Sequence, residues 1–250
     1  MFHSAISQYL KSHNYSSIDL KSVLFDMDGV LFNSMPYHAE AWNKTMENHG
    51  FHLSKEEAYL HEGRTGAATI NIVYQRQSGR KASEEEIQNI YKEKTLEFNK
   101  HPKAERMPGA LDVLTKIKND GLFSMVVTGS GQHSLLERLN SNFPEMFHPQ
   151  LMVTAFDVKY GKPNPEPYLM ALKKGNLQPS QAIVIENAPL GVEAGVSAGI
   201  FTIAVNTGPL DDSVLLDAVA HILFPSMQAF CDSWEVLYQS INDIQNKKHF

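Results

Sequence analysis

Cysteine is almost missing from this chain of 250 residues, and a lone Cys231 rules out an internal disulfide. A reducing compartment is expected, with Cys231, inside Ala229-Phe230-Cys231, as a buried structural thiol. No apolar run approaches a membrane span, and residues 1–18 lack a basic stretch followed by an apolar one. A cytoplasmic protein without a membrane partner is therefore expected. Positive charge is also short. The formal net charge of -6 argues against nucleic acid as the main partner, while leaving room for a locally basic pocket that takes a small anion. The 11 histidines form neither H-E-x-x-H nor a cluster with cysteine, so most are read as surface or cap residues. Internal repeats and low-complexity segments are absent. A chain of this length fits one large domain or a core with an insertion, and a monomer is expected.

What is present is an alternation. Short β-type runs occur at Val23–Phe25, Phe123–Val127, Leu151–Thr154, Ala182–Ile185, Phe201–Val205 and His221–Phe224. Between them, Pro108–Asn119, Ser134–Asn140, Pro165–Lys174 and Pro189–Ala198 carry apolar residues at helical spacing, as in the Leu111, Leu114, Ile117 stripe. Such a rhythm predicts an α/β fold with a parallel sheet and helices on both faces. From Pro36 to about Lys100 it stops, leaving only helix signals. Ser54-Lys55-Glu56-Glu57 and Ser83-Glu84-Glu85-Glu86 read as capping boxes, and Ile87, Ile90, Tyr91 and Phe98 share a helical face. The expected organisation is an N-terminal extension (1–18), a core (19–34 and 104–250) and an inserted all-helical domain (35–103). The helix after Ser226 and Asp211-Asp212 are read as structural.

Four strand ends carry polar groups. Val23-Leu24-Phe25 runs into Asp26-Met27-Asp28-Gly29. Side chains two apart on a strand point the same way, so Asp26 and Asp28 form a carboxylate pair where open α/β sheets bind ligands. Such a pair suits either a metal site or a nucleophile with its acid/base partner; a polar strand end is the alternative. Thr128-Gly129-Ser130-Gly131 is a hydroxyl- and glycine-rich turn that suits phosphate, or a structural turn. Its likeness to a dinucleotide fingerprint fails, because the third glycine position holds Ser134. In Gly161-Lys162-Pro163-Asn164-Pro165, prolines constrain the backbone around a lysine that can act as a point charge toward phosphate. Glu186-Asn187 offers oxygen ligands for a hard cation such as Mg²⁺, or a cap for the following helix.

Together and in this order, the segments resemble the haloacid dehalogenase (HAD) superfamily of aspartate-nucleophile phosphotransferases. Asp26-x-Asp28-Gly29-Val30 resembles its first motif, Thr128-Gly129-Ser130 its second, Lys162 its third and Glu186-Asn187 its fourth. The resemblance covers nearly all the chain beyond residue 20, and the helical insert resembles the cap of the β-phosphoglucomutase-like branch. A Rossmann-like core with a helical cap is implied.

Within that branch, His38 with Trp42, Glu62-Gly63-Arg64-Thr65-Gly66 and Glu186-Asn187-Ala188-Pro189 resemble the inorganic pyrophosphatase type more than a sugar-phosphate mutase. The mutase pattern has Glu-Asp where this chain has Glu186-Asn187, and basic cap residues where it has Glu62 and Gly66, with Arg64 nearby. A carboxylate at 62 would repel a sugar phosphate unless a metal intervened.

The resemblance implies a Mg²⁺-dependent phosphohydrolase. Asp26 would be the nucleophile and Asp28 the acid/base, a role that needs a raised pKa. Mg²⁺ would be held by the Asp26 side chain, the Asp28 carbonyl and the Glu186-Asn187 pair. Lys162 would assist catalysis and bind substrate, with Thr128, Gly129, Ser130, His38, Glu62 and Arg64. Pyrophosphate is the expected substrate. The alternatives are β-phosphoglucomutase or sugar-phosphate phosphatase activity and, from another class, a non-catalytic phosphate- or metal-binding module.

Overall fold

The computed structural model describes residues 2–131 and 135–246. Helix α1 (His3–His13) precedes strand β1 (Ser22–Phe25), and four helices follow: α2 (Met35–Asn48), α3 (Lys55–Leu60), α4 (Gly66–Ser78) and α5 (Glu84–Phe98). The alternating part runs α6 (Ala110–Asn119), β2 (Phe123–Val126), α7 (Leu135–Asn142), α8 (Glu166–Gly175), β3 (Ala182–Glu186), α9 (Pro189–Ser197), β4 (Phe201–Val205), α10 (Asp212–Asp217), β5 (Ile222–Phe224) and α11 (Met227–Asn246). The five strands form one parallel sheet in the order β2-β1-β3-β4-β5.

Strand periodicity assigns the two faces. Val23, Phe25, Ile183, Ile185, Phe201, Ile203 and Val205 belong to a large apolar cluster with Ile6, Tyr9, Leu114, Ile117, Phe230 and Trp234. Leu24, Val184 and Ala182 belong to a second cluster, with Tyr168, Ala171 and Ala194. Both faces are covered, so β1, β3 and β4 are fully buried runs rather than polar-apolar alternations. Helix α1 joins this core rather than trailing from it: Ile6, Tyr9 and Leu10 are buried, and Tyr9 Oη donates to the Gly199 carbonyl at 2.9 Å.

Helices α2 to α5 have an apolar cluster of their own, built on Met46, Leu53, Ile70, Val73, Tyr74 and Ile90. The Ser83–Glu86 box forms with both reciprocal hydrogen bonds. At Ser54 only the hydroxyl half forms, because Glu57 turns its carboxylate to Arg76 and His61. One strand reading is corrected. Leu151–Thr154 is not a strand of the sheet: Pro149 starts a short 3-10 turn through Leu151, and only Val153 bridges to Val127.

Because β1 lies between β2 and β3, the carboxyl ends of all three are neighbours. Phe25 pairs with Val126 on one side and Ile185 on the other. The residues just beyond, Asp26, Thr128 and Glu186-Asn187, are thereby brought together.

Candidate active site

Asp26 is buried, and Lys162 Nζ lies 2.5 Å from its Oδ1. The same ammonium donates to Glu186 Oε1 at 2.6 Å and to the Val127 carbonyl at 3.0 Å. Burial pushes the Asp26 carboxyl up to about 7; Lys162 opposes this, and Glu186 and Asp28 add to it. Lys162 is held above its ordinary value: burial disfavours its charge, but Asp26 and Glu186 outweigh burial. Proline fixes the loop that delivers this lysine, and the Lys162–Pro163 peptide is cis.

Both oxygens of Glu186 are engaged. Oε1 accepts from Lys162 and from Tyr168 Oη at 2.8 Å, and Oε2 accepts from the backbone N–H groups of Asn187 and Ala188. Both oxygens of Glu186 are thus engaged with the protein, whereas its neighbour Asn187 keeps an unpartnered oxygen. Tyr168 is a site residue that sequence reading missed; its signal was a hydroxyl at a fully buried position on α8.

Asp28 differs from expectation. Its Oδ1 accepts from Ser34 Oγ at 2.5 Å and lies 3.3 Å from His38 Nε2. Burial raises its pKa, but His38, Arg138 and the Ser34 hydroxyl outweigh burial and hold it below the usual carboxylate range. The expected rise falls on Asp26 instead, because His38 of the cap and Ser34 and Arg138 of the core surround Asp28 with donors and positive charge.

Lys94 Nζ sits 2.7 Å from His38 Nδ1, so that nitrogen accepts and Nε2–H faces Asp28. Lys94 is buried against Trp42 and Phe98, and burial brings its ammonium down to about 8 while Asp28 opposes. Sequence reading missed Lys94, although a signal existed. It stands on the inward stripe of α5, four residues after Ile90 and four before Phe98.

Glu62 reaches across from the cap. Both its oxygens accept from Asn187 Nδ2, at 3.0 and 3.1 Å. Burial, with the charges of Asp26, Glu186 and Asp28, holds its carboxyl well above the ordinary value, against the Asn187 hydrogen bond. Asn187 Oδ1 is buried and has no hydrogen-bond partner among the described residues. A free amide oxygen beside a buried aspartate fits a hard cation such as Mg²⁺. Gly29, at φ 84, makes room for that amide, since a β-carbon there would fall 2.1 Å from Asn187 Nδ2. Gly66 is filled from behind: a β-carbon would meet the Tyr91 ring at 2.2 Å, so no basic side chain could stand there.

A cavity of about 90 Å³ joins these groups, lined by Asp26, Asp28, His38, Glu62, Arg64, Lys94, Thr128, Gly129 and Ser130 among others. In the β2 turn, Ser130 N–H donates to Thr128 Oγ1 at 3.0 Å, folding the turn toward Asp26. Ser134 lies outside the described residues. Arg64 also faces an outer groove lined by Lys159, Tyr160 and Asn164; burial lowers its pKa and the charge of Glu193 opposes this.

A parallel sheet whose adjacent strand ends carry an aspartate and a hydroxyl turn, with a buried lysine brought in by the loop before α8 and a helical cap above, fits a phosphoryl-transfer hydrolase. The chain belongs to the haloacid dehalogenase-like hydrolase family, which its residues 23–205 match. It is similar to hexitol phosphatase A of Escherichia coli, 31% identical over 81% of this chain and 91% of that protein. It is also 31% identical to the phosphorylated carbohydrates phosphatase of Thermotoga maritima, over 80% of this chain and 92% of that one. A solved structure from Bacteroides vulgatus, provisionally assigned as a β-phosphoglucomutase, is 69% identical, with a TM-score of 0.94 over 96% of this chain and 98% of its own. The likeness places the protein in the β-phosphoglucomutase-like branch.

Proposed function

We propose that this protein hydrolyses a small phosphorylated carbohydrate through an aspartyl-phosphate intermediate, with Mg²⁺ as cofactor and residues 35–103 as the cap. The observation that carries the reading is Asp26, buried at the end of β1, facing the cavity and pinned by Lys162 at 2.5 Å. A binding module would have no use for a nucleophile so placed. The names of the relatives, both carbohydrate phosphatases, support the substrate class.

Asp26 would attack phosphorus while the bond to the leaving oxygen breaks, and the leaving oxygen would take a proton from Asp28. Ser34 and His38 hold Asp28 as a carboxylate in the resting site. Approach of a phosphate dianion raises its proton affinity, so that Asp28 takes up a proton from solvent before the first step. The ionised form then takes a proton from the water that cleaves the acyl-phosphate. Lys162 and the Thr128-Gly129-Ser130 turn would stabilise the equatorial oxygens. The Asp26 carboxylate, the Asp28 carbonyl and Asn187 Oδ1 would hold Mg²⁺, which supplies charge neutralisation at the transferring group when bound.

A second reading, inorganic diphosphate, is favoured by one observation. The cap loop offers Glu62 at the site, and Tyr91 closes the Gly66 position to a basic residue that could hold a sugar's distal phosphate. A substrate panel with purified protein and Mg²⁺ separates the two. Faster turnover of hexose or hexitol phosphates than of diphosphate is the expected result, and the reverse order establishes the second reading. Failure to trap beryllium fluoride at Asp26 would overturn both.

A further inference from the structure

The cap loop Gly63–Thr65 lies in a slot between two turns of the core. A β-carbon on Gly129 would stand 3.1 Å from the Gly63 carbonyl oxygen and 3.4 Å from that of Arg64. One on Gly161 would stand 3.0 Å from Thr65 Cγ2 and 3.1 Å from Thr65 N. Gly63, at φ 86, rests on the Lys162 stem, where a β-carbon would come within 2.9 Å of Cδ. Gly63 needs its left-handed backbone, but Gly129 and Gly161 have no such conformation. What calls for glycine at 129 and 161 is the loop opposite. An alanine at either place would make the loop retreat by a few tenths of an ångström. Glu62 precedes that loop, and its bonds to Asn187, already 3.0 and 3.1 Å, would lengthen with it.

We propose that Gly129 and Gly161 are positioning residues: the slot left by their missing β-carbons sets how far the cap loop descends, and so whether Glu62 reaches Asn187 across the site. Only the kinetic part of the test rests on the phosphohydrolase reading.

The test is amide hydrogen exchange of residues 61–66 in the full chain without substrate, beside kcat/KM for the best substrate of the panel. Gly161→Ala is expected to speed exchange there by about fivefold or more, with no loss of protection in the β1–β3 core. Its kcat/KM should fall by about tenfold, as for a small misplacement of a site group. Thr65→Ser removes Cγ2 but keeps the hydroxyl that accepts from Ala68 N–H. Added to Gly161→Ala, it should bring exchange back toward the parent. Added to Gly129→Ala it should not, because Gly129 faces carbonyl oxygens. Unchanged exchange in Gly161→Ala, or equal rescue of both variants by Thr65→Ser, would overturn the proposal. Faster exchange with unchanged turnover would uphold the slot and remove Glu62 from the reaction.

Discussion

Glu62 of the cap and Asn187 of the core meet through two hydrogen bonds to a single amide nitrogen, at 3.0 and 3.1 Å. This turns Asn187 so that its other atom, Oδ1, is left bare in the site. The cap therefore orients the core's candidate metal ligand. Glu62→Ala should release the amide and weaken Mg²⁺ activation. Loss of a charge-assisted hydrogen bond of ~2 kcal/mol corresponds to a ~30-fold higher Mg²⁺ requirement. A magnesium titration of initial rates reads it, and an unchanged midpoint would remove the orienting role.

Asn187→Asp makes a carboxylate pair with Glu62. Two acids in contact repel, and Asp holds a divalent cation more tightly than Asn. Combined with Glu62→Arg, it should bind Mg²⁺ more tightly and shift preference from diphosphate toward organic phosphates by ~10-fold. The ratio of kcat/KM values for the two substrates is the measurement; a constant ratio would mean that specificity lies elsewhere in the cap.

Removing the proposed nucleophile tests the reaction class. Asp26→Asn should lower turnover by ~10⁴-fold or more, because chemistry through the acyl-phosphate has no other nucleophile. Lys162→Met is expected to harm folding as well, since it leaves Asp26 and Glu186 buried without their cation. Breaking a buried pair in this way costs ~3–5 kcal/mol, readable as a lower denaturation midpoint.

Lys94 links pH to Asp28, the proposed acid/base group. Below about pH 8 its ammonium donates to His38 Nδ1, which keeps Nε2–H directed at Asp28. As pH rises through that value the ammonium loses its charge, the amine can accept as well as donate, and the orientation is enforced less strongly. An alkaline limb near pH 8 is expected in the rate profile, and Lys94→Met should lack it while being slower throughout. A parent-like limb in that variant would assign it to another group.

His221 gives a separate prediction for stability. Its Nδ1 accepts from Thr202 N–H at 3.0 Å beneath Tyr9, and burial, with the charge of His13, lowers it to about 4. The unfolded chain takes up this proton near pH 6.5, the folded chain only near 4. The contribution of His221 to stability is therefore fully present above pH 6.5 and is lost as pH falls toward 4. A fall of roughly 5 °C in Tm across that window is expected, and a smaller one in His221→Asn.

Much of the candidate site could be read from the residues alone, because polar groups at strand ends interrupt apolar runs. Asp26, Asp28, Thr128 and Asn187 follow buried strands and Lys162 directly precedes two closely spaced prolines, where a polar residue needs a reason. Lys94 and Tyr168 were not legible in the same way. Each is a single polar atom on an otherwise apolar helix face, and its meaning depends on what lies opposite. The Leu151–Thr154 run misled because apolar β-type composition does not ensure a partner strand.

The alternation of strands and helices, the inserted helical block and the placing of Asp26 at the end of β1 were determined by the sequence itself. Periodicity and strand-end chemistry are local properties that the chain carries into any packing. Only the tertiary structure decided which aspartate is held as the carboxylate, which oxygen is free for a cation and how Glu62 comes to face Asn187. Those depend on distances between segments far apart in the chain. Burial and neighbouring charge act over a few ångströms, and no spacing along the sequence encodes them.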